Sequence, residues 1–260
     1  MYVHKKKRSK KDVVYSSKRR MVSEKEKKYI REDDDDDEEE EHENPLLPLL
    51  NLQQSETVYR TNNHIYFRTD ITISSISKLI KLINEANNEF ALLEASIQHA
   101  QLIPKPLYLH ITSFGGILFA GFMGMDVIES SRVPIYTIVE GIAASAATIL
   151  SLAGKKRLMS KNAYYLIHQL SSTAMGNFRQ LADDQTNNEE LMKRLKKLYT
   201  EKTNGVLKGK KLDEVLGHDL YWGYDLCKRF GLIDGVYSSD QLKVCDDDFI
   251  RIDSSDSVNE

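Results

Sequence analysis

An α/β fold with largely parallel strands is what this sequence predicts, and three observations predict it. Short β-branched and aromatic runs alternate with segments of helical period along the middle of the chain. One strand-like run, Leu107-Tyr-Leu-His-Ile-Thr112, leads through Ser113-Phe-Gly-Gly116 straight into a helical segment. Another, Pro134-Ile-Tyr-Thr-Ile-Val139, leads through Gly141 into the small-residue stretch Ile142-Ala-Ala-Ser-Ala-Ala-Thr-Ile-Leu150.

Taken in order, residues 1–44 carry Lys5-Lys-Lys-Arg8, Lys18-Arg-Arg20 and then an acidic block from Glu32 to Glu43, too little apolar surface to fold alone. They read as a disordered extension whose two charge signs cancel, so a nucleic-acid role is disfavoured. A folded domain is expected over 45–237, entered through Pro45-Leu-Leu-Pro48. His64-Ile-Tyr-Phe67 reads as a strand, and Ile76, Leu79, Ile80 and Ile83 mark an amphipathic helix over Ser74–Phe90. Pro104 and Pro106 punctuate the next join, then come the strand 107–112 and a helix over Ile117–Glu129. Gly141 is expected to end the strand before it, with helix from Ala143 onward and Ser145 in its first turn.

Lys155–Met159 and Tyr164–His168 read as further strands, the second ending on a histidine. Gly176–Thr203 is long and helical but mostly polar, with only Leu191, Leu195 and Leu198 keeping an apolar spacing; such a helix projects or packs on another subunit. Short helices are expected at Leu212–Leu216 and Tyr224–Phe230, a last strand within Gly231–Tyr237, and a loose acidic tail over 238–260.

Composition excludes several classes. Hydrophobic residues make up 41% of 260, enough for a real core, and the net charge of −3 is an average over opposed ends. Cys227 and Cys245 are the only cysteines, without metal-site spacing, which fits a reducing compartment. Neither a membrane-spanning run nor a signal-peptide core is present, so a cytoplasmic location with no membrane partner is expected. No phosphate-binding loop pattern and no metal or cofactor set is found.

Candidate chemistry lies where strands hand over to helices. Backbone amides at a helix start are unpaired and sit at the positive end of the helix dipole, so an oxyanion is favoured beside Ser145. Tandem glycines at 115 and 116 permit positive φ and leave amides facing outward. Each feature has an ordinary counterpart: Ala/Ser-rich helices pack in inert cores, glycines merely turn chains, and strand-end histidines serve as structural hydrogen-bonders. It is their joint occurrence, with His168 23 positions after Ser145, that points to acyl transfer.

Ser113-Phe-Gly-Gly-Ile-Leu-Phe-Ala-Gly121, Gly141-Ile-Ala-Ala-Ser145, Leu166-Ile-His-Gln169 and Gly231-Leu-Ile-Asp234 together resemble the SPGG, G-x-A-A-S, M-I-H-Q-P and G-L-V-D segments of the Clp protease proteolytic subunit family, over roughly 58–237. The resemblance implies a crotonase-like fold of repeated ββα units with a projecting handle helix, here Gly176–Thr203. It implies a serine endopeptidase acting on unfolded polypeptides or peptides inside a homo-oligomeric ring, fed by an ATP-driven Clp-type unfoldase. Ser145 would be nucleophile and His168 general base; Gly116 and Ala146 would supply the oxyanion hole; Gly115, Ile117, Leu118, Gln169, Leu170 and Ser171 would bind an extended peptide as an added strand. Ungapped counting puts Val215 where the family has its catalytic aspartate, so Asp219 is taken as third member and Asp213 as its alternative, since Asp213 sits where it would cap a helix. Phe114 and Leu170 replace family prolines.

Other readings stand less well. A nucleophile elbow needs glycines where Ala143 and Ala147 stand. A Ser-Lys peptidase could draw on Lys155 or Lys156, but would not need His168; an acyl-CoA hydratase relative would need neither the serine nor the histidine. An inactive ring subunit remains the alternative from another class.

Overall fold

A computed structural model of the chain describes residues 57–97, 102–238 and 250–252. The charged extension 1–44 lies outside the described residues, as does most of 238–260.

The architecture is α/β. Strands β1 (Val58–Thr61) and β2 (His64–Phe67) form an antiparallel hairpin. Helix α1 (Ile73–Ser96) follows, opened by a capping box in which Thr72 accepts from the Ser75 amide and Ser75 bonds back. Strand β3 (Leu102–Pro104) precedes β4 (Leu107–Ser113) and helix α2 (Leu118–Ser130). Strand β5 (Ile135–Ala144) runs into helix α3 (Ala146–Ala153), and β6 (Lys156–Ser160) and β7 (Tyr164–Leu166) come next. Three helices, α4 (Phe178–Lys202), α5 (Gly209–Leu216) and α6 (Tyr224–Arg229), precede β8 (Gly235–Tyr237).

Strands β2, β4, β5, β6 and β8 lie side by side and pair parallel, with β1 at one edge and β7 added beside the far half of β5. Alternation within each strand sorts side chains between two faces. Ile65, Phe67, Leu109, Ile111, Ile135 and Val139 join Ile76, Leu79 and Ile83 of α1 and the buried residues of α2 and α3 in one core. The alternate residues make a polar, aromatic face: Tyr66 stacks on Tyr59 and His110, and buried His110 bonds His64 through Nε2 and Glu140 through Nδ1, each at 2.8 Å. The His110 hydrogen bond, more than offsetting partial burial, holds the Glu140 carboxyl below its usual range.

Two expectations are corrected here. Gly141 does not end its strand: at φ 66° it bends β5, whose first half pairs with β6 (Tyr136–Val139 on Lys156–Met159) and whose second half pairs with β7 (Ile142–Ala144 on Tyr164–Leu166). Ala143 and Ala144 are therefore strand and not helix, because ladder hydrogen bonds outweigh the helix preference of alanine. Ser145 consequently stands at the N-cap of α3 and not within its first turn. Strands β1 and β3 were not expected. Within the stretch read as a loose tail, β9 (Ile250–Ile252) pairs antiparallel with β3. No helix among the described residues is long and apolar enough to cross a membrane.

Candidate active site

Ser145 occupies the one-residue junction between β5 and α3 with φ 53° and ψ −127°, a conformation that costs a non-glycine residue about 1–3 kcal/mol. Main-chain bonds hold it there: its N–H donates to the Leu166 carbonyl at 2.9 Å, and its own carbonyl accepts from the Thr148 amide at 3.0 Å. Its side chain makes no capping bond, so the hydroxyl stands clear of the helix end. Among the described residues that hydroxyl has no hydrogen-bond partner.

His168 lies two residues beyond β7. Because Leu166 is paired with Ala144, the strand that delivers the histidine runs beside the strand that delivers the serine, and both side chains reach the same end of the sheet. His168 Nδ1 meets Asp219 Oδ1 at 3.1 Å, which leaves Nε2 as the ring nitrogen able to face a hydroxyl. The carboxylate is carried by a segment stitched to the histidine strand: Gln169 donates to the Leu216 carbonyl at 2.9 Å, and Tyr165 and Trp222 exchange main-chain bonds at 2.9 and 2.8 Å. Asp219 sits between those two ties, 76% exposed, while the His168 side chain is 27% exposed. Asp213 lies elsewhere, paired with Lys196 of α4 at 2.8 Å. The capping role expected for Asp213 is not the one it has, since Lys208 is the N-cap of α5.

The tandem glycines complete the enclosure. Gly115 and Gly116 have φ of 104° and 142°, and a β-carbon on Gly115 would fall 2.6 Å from Ser145 Cβ, one on Gly116 2.3 Å from the Ile71 carbonyl oxygen. No other residue type fits this close approach. A parallel bridge fixes the turn, with Ile71 N–H bonded to Gly115 O and Ile117 N–H to Ile71 O, both at 2.7 Å. That pattern uses the carbonyl of Gly115 and the amide of Ile117 and passes over the amide of Gly116. Among the described residues, neither the Gly116 amide nor the Ala146 amide at the start of α3 donates to a protein acceptor.

Gly116, Ser145, Ala146 and His168 border one cavity of about 110 Å³. Leu118, Gln169, Leu170 and Ser171 line it as well, whereas Ile117 is half exposed and Gly115 packs behind the serine. Sequence reasoning does not reach three further lining residues, Ile149, Leu195 and Tyr199. The available signals were helical spacings: Ile149 lies four after Ser145, and Tyr199 four after Leu195. Their apolar surfaces suit an apolar side chain of modest size. Cys227, the one cysteine among the described residues, is buried with its thiol pushed up to about 12 by that burial, which is the opposite of a reactive thiolate.

Comparison with known proteins gives the family of the chain. A family model described as Clp protease matches residues 54–240. The ATP-dependent Clp protease proteolytic subunit 2 of Treponema denticola is 34% identical over 123 residues, covering 46% of this chain and 62% of that protein. The ATP-dependent Clp protease proteolytic subunit of Streptococcus mutans is 35% identical over 149 residues, covering 55% of this chain and 74% of that protein. That of Streptococcus uberis is 31% identical over 150 residues, with the same coverage. The aligned part thus spans between about three fifths and three quarters of these relatives. With a central parallel sheet and helices, and with the family model spanning most of its length, the chain belongs to the Clp protease family.

Proposed function

We propose that this chain is a serine endopeptidase in which Ser145 Oγ attacks the peptide carbonyl while His168 Nε2 takes its proton. Asp219 keeps the imidazole in the productive tautomer and stabilises the imidazolium. The oxyanion that forms accepts from the Gly116 and Ala146 amides, and the protonated His168 then gives its proton to the departing amine. A water activated by the same imidazole hydrolyses the acyl-serine and restores the enzyme. The observation that carries this reading is convergence: a strained serine, a carboxylate-bonded histidine and two unpaired amides border one cavity.

Unfolded polypeptide or peptide is the proposed substrate, laid between the Gly115–Leu118 and Gln169–Ser172 segments by main-chain pairing. A ring of copies of this chain is the proposed assembly, with an ATP-driven Clp-type unfoldase as partner, in the cytoplasm; the peptidase domain is taken as 45–237. Met175, three residues before α4, and Phe178 and Leu181 in its first turn are exposed and form the apolar surface that supports a subunit contact. A second reading, an inactive ring subunit, draws on the unpartnered Ser145 hydroxyl and the exposure of Asp219. Such looseness is also usual before substrate tightens a site.

The test is to incubate a permanently unfolded polypeptide with wild type, Ser145→Ala and Phe178→Glu, sedimenting each protein in parallel. Cleavage by an assembled wild type, none by an equally assembled Ser145→Ala, and a smaller particle for Phe178→Glu are expected. An assembled wild type that leaves the polypeptide intact would establish the inactive subunit instead.

A further inference from the structure

The carbonyl of Ser145 accepts a second hydrogen bond, from the Thr148 hydroxyl at 2.6 Å. Thr148 Oγ1 is in turn 2.7 Å from the Tyr199 hydroxyl, which arrives from α4, 51 positions along the chain. A threonine hydroxyl carries one proton. Thr148 spends it on the Ser145 carbonyl, so in this pair Tyr199 is the donor and Thr148 the acceptor. The direction of the chain is therefore Tyr199 O–H to Thr148 Oγ1, then Thr148 O–H to Ser145 O. Burial pushes the Tyr199 hydroxyl up to about 12, so it keeps the proton it donates across the working range. From the other side, the Tyr165 hydroxyl donates to the Thr148 carbonyl at 3.0 Å, tying the same residue to β7, the strand that leads to His168.

Thr148 is fully buried and Tyr199 is 2% exposed, so neither bond has water as a ready substitute. A threonine bonding back to a carbonyl one turn earlier is ordinary in a helix. Here the acceptor is the main chain of the residue held at φ 53°, and the threonine is itself gripped from two other elements. A conformation of that kind persists only where its surroundings over-determine it. The Tyr199 ring also lines the cavity, so one side chain touches the substrate space and the support of the serine at once.

We infer that Thr148 and Tyr199 are positioning residues for acylation, a buried two-hydroxyl chain by which α4 fixes the main chain of Ser145 and hence the aim of its hydroxyl. The inference rests on the peptidase reading above. Removing the Tyr199 hydroxyl while keeping the ring leaves the cavity wall in place, so the rate of bond formation should suffer and reversible binding should not.

The experiment is saturation kinetics of covalent labelling by a fluorophosphonate probe, comparing wild type, Ser145→Ala, Tyr199→Phe, Thr148→Val, Thr148→Ser and the Tyr199→Phe/Thr148→Val double variant. Tyr199→Phe and Thr148→Val should each lower the limiting labelling rate about tenfold, with the half-saturating probe concentration within about twofold of wild type. Thr148→Ser, which keeps the hydroxyl, should label at close to the wild-type rate. The double variant should also fall about tenfold and not about a hundredfold, since both changes cut one chain. Limiting rates within about twofold of wild type in both single variants, additive losses in the double, or a change confined to half-saturation would overturn the inference while leaving the peptidase standing. A wild type that labels no faster than Ser145→Ala would remove the peptidase reading and this inference with it.

Discussion

A serine held at φ 53° between a strand and a helix has few reasons to be there other than the exposure of its hydroxyl. The histidine that borders the same cavity is bonded through Nδ1 to Asp219, the carboxylate to which the proposed mechanism gives the orienting role. Asp219→Asn should lower the turnover of an unfolded-polypeptide substrate by about 10²–10⁴-fold, since it lets the wrong imidazole tautomer form. Asp213→Asn, which breaks only the exposed pair with Lys196, should stay within about twofold of wild type. Equal losses in the two variants, measured as initial rates, would contradict the assignment. At this scale the sequence was informative about small residues and chemical types: tandem glycines, a serine among alanines, a histidine ending a strand. It was uninformative about Thr148 and Tyr199, because a hydroxyl pair 51 positions apart has no local pattern and exists only once α4 is laid against α3.

Strands and helices were legible where one period dominated, and less so where a strand changes partner. The run from Ile135 to Ala144 looks broken at Gly141, yet the glycine is the bend that lets one strand serve both β6 and β7. Strands β1 and β3 are short and bounded by polar residues or proline, which gives a period-2 pattern too little length to register. Strand β8 is anchored by an ion pair rather than by length: Arg157 of β6 grips Asp234, just before β8, through its backbone N–H at 2.8 Å, Nε at 3.2 Å and Nη2 at 2.6 Å, and reaches the Lys202 and Gly231 carbonyls as well. Partial burial raises the Asp234 carboxyl, but the Arg157 side-chain and main-chain bonds outweigh it and leave the group below its ordinary value. A carboxyl lowered in the folded state contributes stability that is present above the unfolded value of about 3.9 and is lost as pH falls through the folded value. Asp234→Asn should therefore be less stable than wild type at pH 7, and the gap between them should close as the pH is lowered below about 4. Denaturation midpoints followed against pH test this, and two curves that stay parallel down to the acid limit would refute it.

The molecule as a whole offers a site built from separate parts of one sheet end and a helix whose first half finds little to pack against. Helix α4 is buried only where Leu195, Leu198 and Tyr199 meet the core, and Phe178 near its start is 90% exposed. The same helix thus lines the cavity at one end and presents apolar surface at the other, which is how assembly and catalysis would come to depend on each other. The projecting character of this helix was readable in its broken apolar stripe, since polar residues at 183, 184, 187 and 188 leave no continuous face for a core. Its contribution to the cavity was not, because burial of Tyr199 depends on the tertiary path of the chain.

The central claim is that Ser145 is an activated nucleophile, and the most direct measurement is the intact mass and peptide map of the purified full chain after reaction with a fluorophosphonate. One adduct per chain, located on Ser145 and abolished in His168→Ala, is the predicted result. An unmodified Ser145 in the assembled protein, or an adduct that forms equally well without His168, would contradict it.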